Sequence, residues 1–317
     1  MTNEGGDMLV AAPWRWDEAC FMVPALRALM ASGLKMGVVC PGGQREFWET
    51  LAGIAVVDCP AKVRALAPLI AGKWQASLVW EQGPAAEAME IARIPRRLGP
   101  AQARLKRRVT HELEARVGPL EHRVRFYLSA VGEMGVEPGK AEFFLPAETG
   151  VDPVRNAVLL SPESDFGTSH EWSLDGWLEI GRRLMEGGAR VTVAGMEGRK
   201  TGMADVLAHE LGEDVEFFRA SPLGGALPVF AVHGLVVAAD ASLPHLAAHA
   251  GATCVTLFGP NDPQWKRPLG KRHAVVRRHV ECAPCLMAKC PLDMRCQREL
   301  DVDRVWAAVA AKWTPAG

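Results

Sequence analysis

Four cysteines, Cys282, Cys285, Cys290 and Cys296, are spaced C-x2-C-x4-C-x5-C along the chain. Thiols this close, in a chain expected to be cytoplasmic, point to metal rather than to disulfides. A structural zinc would tie down the loop through a closed four-thiolate site, and an iron–sulfur cluster takes the same number of ligands. The spacing is not a common zinc-ribbon pattern, and reduced, unliganded thiols are the simpler alternative. The other four, Cys20, Cys40, Cys59 and Cys254, stand in apolar runs and read as buried thiols. A second chemical cluster is the acid pair Asp17 and Glu18 in the turn Pro13-Trp14-Arg15-Trp16-Asp17-Glu18. Acids at a helix N-terminus are favoured electrostatically and need no chemistry. Trp14 and Trp16 read first as packing residues, although an exposed pair could stack on a sugar.

The third cluster lies in VVAADASLPHLAAHAGATCVTLFGPNDP, residues 236–263. Val236 to Ala238 form the apolar end of a strand that Asp240 breaks. Ser242 suits a helix cap and Pro244 the first helical turn. Leu246, Ala247, Ala248 and Ala250 make a small-residue helix that can lie flat on a sheet, and Gly251 ends it. Cys254 to Phe258 is the next buried strand. Such a strand–turn–helix offers free backbone N–H groups and a positive helix end to a phosphate. A plain βαβ crossover that binds nothing has the same pattern.

The elements that would position these residues alternate along the whole chain, which predicts an α/β protein with parallel sheets. Met8–Ala12 reads as the first strand, Cys20–Ala31 as the first helix and Met36–Cys40 as the next strand, followed by a helix around Phe47. Val56–Cys59 and Ser77–Trp80 read as further strands. Residues 93–125 form a basic, helix-prone stretch with Arg104, Lys106, Arg107 and Arg108 clustered. Pro146, Gly150 and Pro153 mark a linker. Beyond it Ala157–Leu160, Val191–Ala194, Gly234–Ala238 and Thr253–Phe258 continue the alternation. The expected domains are residues 1–148 and 153–302, followed by an amphipathic helix within 303–317.

Composition is that of an ordinary globular protein: 317 residues, 49% hydrophobic and 23% charged, enough for two cores. The net charge of −1 supplies no overall field favouring nucleic acid or an anionic membrane. The start, MTNEGGDMLV, lacks the basic region of a signal peptide, and no apolar run approaches the length of a membrane span. A cytoplasmic, non-spanning protein is expected.

The segment ADASLPHLAAHAGATCVTLFGPNDP resembles the ND(S/T)G..H.A.A.G.P...LFGP.DP block of the glycosyltransferase family 9 heptosyltransferases. These bacterial enzymes move a heptose from ADP-heptose onto the lipopolysaccharide inner core. Further along the same resemblance, WDEACFMVPALRAL is similar to GD....LPALRAL, and EQGPAAEAMEIARIPRRLG to D.QG....A..AR...R.G. LLSPESDFGTSHEWSLDGWLEIGRRL is similar to HPG....KRWP...WAEL, and CAPCLMAKCPLDMRCQREL to a cysteine-rich tail common in the family.

The resemblance implies the GT-B architecture: two Rossmann-like domains facing across a cleft, with a C-terminal helix packing back across both. It implies an N-terminal acceptor domain, a C-terminal nucleotide-sugar domain and inverting transfer without a catalytic cofactor. The implied partners are a nucleotide-sugar donor and a lipid-linked glycan acceptor at the inner membrane surface, with a peripheral location there and no nucleic acid. Counting six residues back from Pro24 places Glu18 on the family's catalytic aspartate, and a one-residue shift would give the role to Asp17. Around the donor diphosphate the resemblance implies Ser164, Thr168, Ser169, Asp240, Ala241 and Ser242, with His245 nearby on the helix. It places Glu197 at the nucleotide ribose. Four positions depart from the pattern. His170 stands where the family has lysine, Glu163 where it has glycine, and Ala241-Ser242 where it has threonine and glycine. A neutral imidazole neutralises a diphosphate less well than an ammonium, and acids at positions 163 and 165 oppose an anion unless they point away. A non-catalytic relative that binds nucleotide sugar or glycan is therefore the alternative.

Overall fold

The computed structural model describes residues 6–196, 198 and 202–313. The chain divides into two compact units, Met1–Leu145 and Pro146–Gly317. In the first, six parallel strands β1 (Gly6–Ala11), β2 (Met36–Cys40), β3 (Ala55–Asp58), β4 (Trp74–Leu78), β5 (Arg96–Pro100) and β6 (His111–Leu113) lie in the order β3-β2-β1-β4-β5-β6. In the second, β7 (Val154–Ser161), β8 (Arg190–Met196), β9 (Glu216–Ala220), β10 (His233–Ala239), β11 (Thr253–Phe258) and β12 (Ala274–Arg277) lie as β12-β11-β10-β7-β8-β9. Counted within each unit, both sheets have the order 3-2-1-4-5-6 of a Rossmann domain, so the expected pair of Rossmann-like domains is present. Each has its switch point where the order reverses, between β1 and β4 and between β7 and β10.

Burial explains which strands the sequence announces. β2 is buried at every position and β11 at all but its first, so both read as continuous apolar runs. β6, β9 and β12 are edge strands, and their sequences HEL, EFFRA and AVVR each carry charge. β5, RRLGP, begins on two arginines. These four give at most a short apolar run and are absent from the sequence expectation. The basic stretch is not helical as expected. Residues 103–108 form successive turns pinned by the fully buried Leu105, β6 follows, and a helix resumes only at Val124–Gly132.

The second unit's core gathers Val158, Leu160, Val191, Val193, Val237, Val255 and Leu257 with Trp172 and Trp177. The helix Val302–Ala310 closes it by inserting Val305 and Val309, an i,i+4 pair that is fully buried. Each such valine contributes about 1.5–3 kcal/mol. No helix among the described residues is long and apolar enough to cross a membrane.

Candidate active site

In the first unit the helix Trp16–Ala31 starts four residues before the expected Cys20, so Asp17 and Glu18 sit in its first turn rather than in a loop. Their surroundings differ. Asp17 is fully buried and takes a bidentate pair from Arg15, Nε at 3.0 Å and Nη2 at 2.9 Å. Glu18, partly exposed, takes Arg123 Nε at 3.0–3.1 Å on its two oxygens and the Tyr127 hydroxyl at 2.6 Å. Burial and the Glu18 charge push the Tyr127 phenol well above its usual range, so it stays a donor. Both partners come from the helix Val124–Gly132 and its cap, over a hundred residues away. Tyr127 is the chain's only tyrosine, and no local spacing links it to Glu18. Beside the acids, Trp14 is 54% exposed while Trp16 packs edge-on against Phe47. Trp14 lines a small pocket at the first switch point with Pro13, Trp80, Glu81 and Gly83.

In the second unit the loops after β7 and β10 meet at the other switch point. Ser164 Oγ donates to the Asp240 carbonyl at 2.6 Å, and Ser164 N–H donates to Glu171 at 3.1 Å. Asp240 is fully buried; its Oδ2 binds His170 Nδ1 at 2.9 Å and Asn261 Nδ2 at 2.7 Å. Its Oδ1 has no hydrogen-bond partner among the described residues. Burial raises the Asp240 carboxyl, against the opposing pull of His170 and Asn261. In the lysine position the chain thus places a buried ring tied to Asp240 rather than an extended side chain.

The two acids flanking Ser164, Glu163 and Asp165, behave oppositely. Glu163 turns away from the loop and accepts Met196 N–H at 2.8 Å and Ala204 N–H at 3.3 Å, joining β8 to the next helix. Asp165 turns in. Its Oδ1 accepts Ser242 N–H at 2.8 Å and its Oδ2 accepts the Ser242 hydroxyl at 2.6 Å. Ser242 stands at the cap position of the helix Leu243–His249 but makes no capping bond, because its hydroxyl serves Asp165 instead. The chain's own carboxylate thus takes the N–H and O–H expected to meet a phosphate. Asn261, Arg123 and Tyr127 are the site neighbours that motif reading did not single out, and the Asp165–Ser242 pairing is the contact it did not foresee.

Ala241 and His245 are buried behind this loop. Thr168 is exposed on a 3-10 turn, whereas Ser169 on the same turn is buried, its hydroxyl donating to the Met287 carbonyl and its N–H to the Ala288 carbonyl at 3.3 Å. Glu197 lies outside the described residues. Met287 and Ala288 belong to the cysteine loop, which packs on Gly167. That glycine has φ +123°, and a Cβ on it would stand 2.2 Å from the Ala288 carbonyl oxygen. Cys282 and Cys285 are exposed, Cys290 is half-buried and Cys296 is buried. Burial, then the charges of the other three, pushes the Cys296 thiol up to about 11. The donor set suits a thiophilic ion, but among the described residues no three His, Cys, Asp or Glu side chains are placed to hold one.

Two Rossmann-like units with polar groups converging at both switch points define an α/β enzyme of nucleotide-binding architecture. Residues 130–295 match the profile of glycosyltransferase family 9 (heptosyltransferase), more than half of the chain. The chain belongs to glycosyltransferase family 9. It is 32% identical to lipopolysaccharide heptosyltransferase 1 of Pseudomonas aeruginosa over 139 residues, 44% of this chain and 39% of that protein. The match thus spans about two fifths of that relative's length. The fold is similar to E. coli ADP-heptose lps heptosyltransferase II, with TM-score 0.76, 17% identity and coverage of 96% and 98% of the two chains. It is also similar to the family 9 glycosyl transferase of Veillonella parvula DSM 2008, with TM-score 0.79, 12% identity and 98% coverage of both.

Proposed function

We propose that this chain transfers a heptose or related sugar from a nucleotide-sugar donor, ADP-heptose by analogy with its relatives, to a lipopolysaccharide core or other glycan acceptor. The observation that carries this reading is the convergence of Ser164, Asp240 and Ser242 at the β7/β10 switch point, where dinucleotide folds bind phosphates. The donor then belongs to the second unit, with Glu197 on its ribose, and the acceptor to the first. Transfer is proposed to invert the anomeric centre. Glu18 takes the acceptor hydroxyl proton, the oxygen attacks the anomeric carbon, and the bond to the diphosphate breaks with the nucleoside diphosphate as leaving group. Arg123 and Tyr127 hold the Glu18 carboxylate in one orientation for this step. The proposed step uses no metal or cofactor. A structural zinc or iron–sulfur cluster on Cys282, Cys285, Cys290 and Cys296 is a separate proposal. It requires the loop to draw its four sulfurs together, and elemental analysis of protein purified without chelator tests it. The proposed setting is the cytoplasmic face of the inner membrane.

One observation favours a second reading, a relative that binds nucleotide sugar or glycan without turnover: Asp165 already holds the Ser242 donors. Native mass spectrometry with a panel of nucleotide sugars, followed by an acceptor-dependent release assay, separates the two. Release of nucleoside diphosphate only when acceptor is present supports transfer. Donor binding without release under every acceptor tried supports the second reading.

A further inference from the structure

Between Ile91 and Thr110 the chain carries seven basic residues and no acidic one. Taking those seven from the total of −1 leaves the rest of the protein at net −8, so the near-neutral total conceals a segregated charge. Two of the seven are used internally. Arg97 donates to the Ile94 and Arg108 carbonyls at 2.8 Å each, and Arg108 pairs with Glu87 and Glu90. The other five, Arg93, Arg96, Arg104, Lys106 and Arg107, are exposed, and none pairs with an acid among the described residues.

The fold gathers the stretch at one edge of the first sheet, around β5 and β6. Arg97 N–H donates to Thr110 Oγ1 at 2.9 Å and Thr110 N–H to the Arg97 carbonyl at 2.7 Å, so the start of β5 lies beside the end of the basic turns. The Arg108–Glu90 pair ties those turns to the helix Pro84–Ile91. Leu105 is fully buried and anchors the run between Arg104 and Lys106. Ile91, next to this basic surface, is 51% exposed.

We propose that this face docks the protein on an anionic lipid surface. Charge complementarity selects the partner. Unpaired lysine and arginine gain about fivefold in affinity per residue near an anionic bilayer, and an exposed aliphatic side chain suits the headgroup boundary. A nucleic acid is the poorer fit, because residues 91–110 contain no aromatic side chain on which a base could stack. The acidic remainder of the chain is repelled by the same bilayer and orients the basic face toward it. The inference goes beyond sugar transfer and does not depend on it.

The test is flotation of the full chain with extruded vesicles of phosphatidylcholine alone or mixed 3:1 with phosphatidylglycerol, without nucleotide or glycan, so that failure here leaves the transfer reading untouched. Binding should require phosphatidylglycerol and vanish in high salt as screening shortens. Arg104→Ala/Lys106→Ala/Arg107→Ala should weaken it on the order of 100-fold. Arg104→Lys/Arg107→Lys, which keeps the charge, should bind like the parent. Should the alanine variant melt early, the exposed single reversals Arg96→Glu and Lys106→Glu carry the test instead. Equal partition onto neutral vesicles, salt-insensitive binding, unchanged binding of the folded charge-removed variants, or displacement by duplex nucleic acid in preference to vesicles would overturn it.

Discussion

Replacing Asp165 should tighten, not weaken, the binding of a nucleoside diphosphate. In the free protein its carboxylate accepts both Ser242 donors, at 2.8 and 2.6 Å. A phosphate that takes those donors must first displace it. Charged hydrogen bonds contribute about 1.5–3 kcal/mol each when buried, and less here because Asp165 is exposed. If the carboxylate swings aside but stays within about 4 Å of the phosphate, repulsion adds between about 1 kcal/mol in water and about 4 kcal/mol at an effective dielectric of 20. Asp165→Asn keeps an acceptor for the Ser242 N–H and removes the charge. Together these put the gain at about 1–3 kcal/mol, roughly 5- to 150-fold in Kd. Titration calorimetry with ADP reads it directly. The gain should shrink in 0.5 M salt, because the repulsion at this exposed position is screened. Equal or weaker ADP binding by a folded Asp165→Asn variant would refute the reasoning, and would mean that the carboxylate itself belongs to the ligand contact.

Glu18→Gln should lower the proposed transfer rate by about 10²–10⁴-fold with donor affinity kept, whereas Asp17→Asn should lower it less, since Asp17 is buried against Arg15; rates in the reverse order would move the base to Asp17. Burial, with Arg272 beside it, lowers His273 to about 4, and its Nδ1 accepts Cys254 N–H, a bond that protonation breaks. The unfolded state therefore binds the extra proton. Stability from His273 is complete above pH ~6.5 and is lost as pH falls toward 4, by at most about 3 kcal/mol, so a flat urea midpoint across that window would count against it. Gly167→Ala should cost about 2–4 kcal/mol through its positive φ and the overlap with the Ala288 carbonyl, seen as a lower Tm, and an unchanged Tm would mean that the cysteine loop shifts freely.

The class of fold was legible in the chain alone, and so were the loops in which its polar residues gather. Buried parallel strands must be apolar throughout, so β2 and β11 announce themselves, and the turn at Asp240 is marked by the same abrupt loss of hydrophobicity. The family likeness was legible for a related reason: LFGPNDP and VPALRAL pack in the core or turn at its edge, where few residues fit. Tertiary structure alone decided what each polar side chain does. Glu163 and Asp165 are two acids in one loop, yet one faces the β8 turn and the other faces Ser242, because their partners lie 33 and 77 residues away. Glu18 meets Arg123 and Tyr127 across more than a hundred residues. The near-neutral total says nothing of the basic face, which exists because Leu105 and Arg97 hold turns and strand together. Hydrophobic periodicity is local and survives in a one-dimensional reading. Hydrogen-bond partnership and the clustering of charge depend on which loops the parallel crossovers bring to the same end of a sheet, and the chain settles that only by folding.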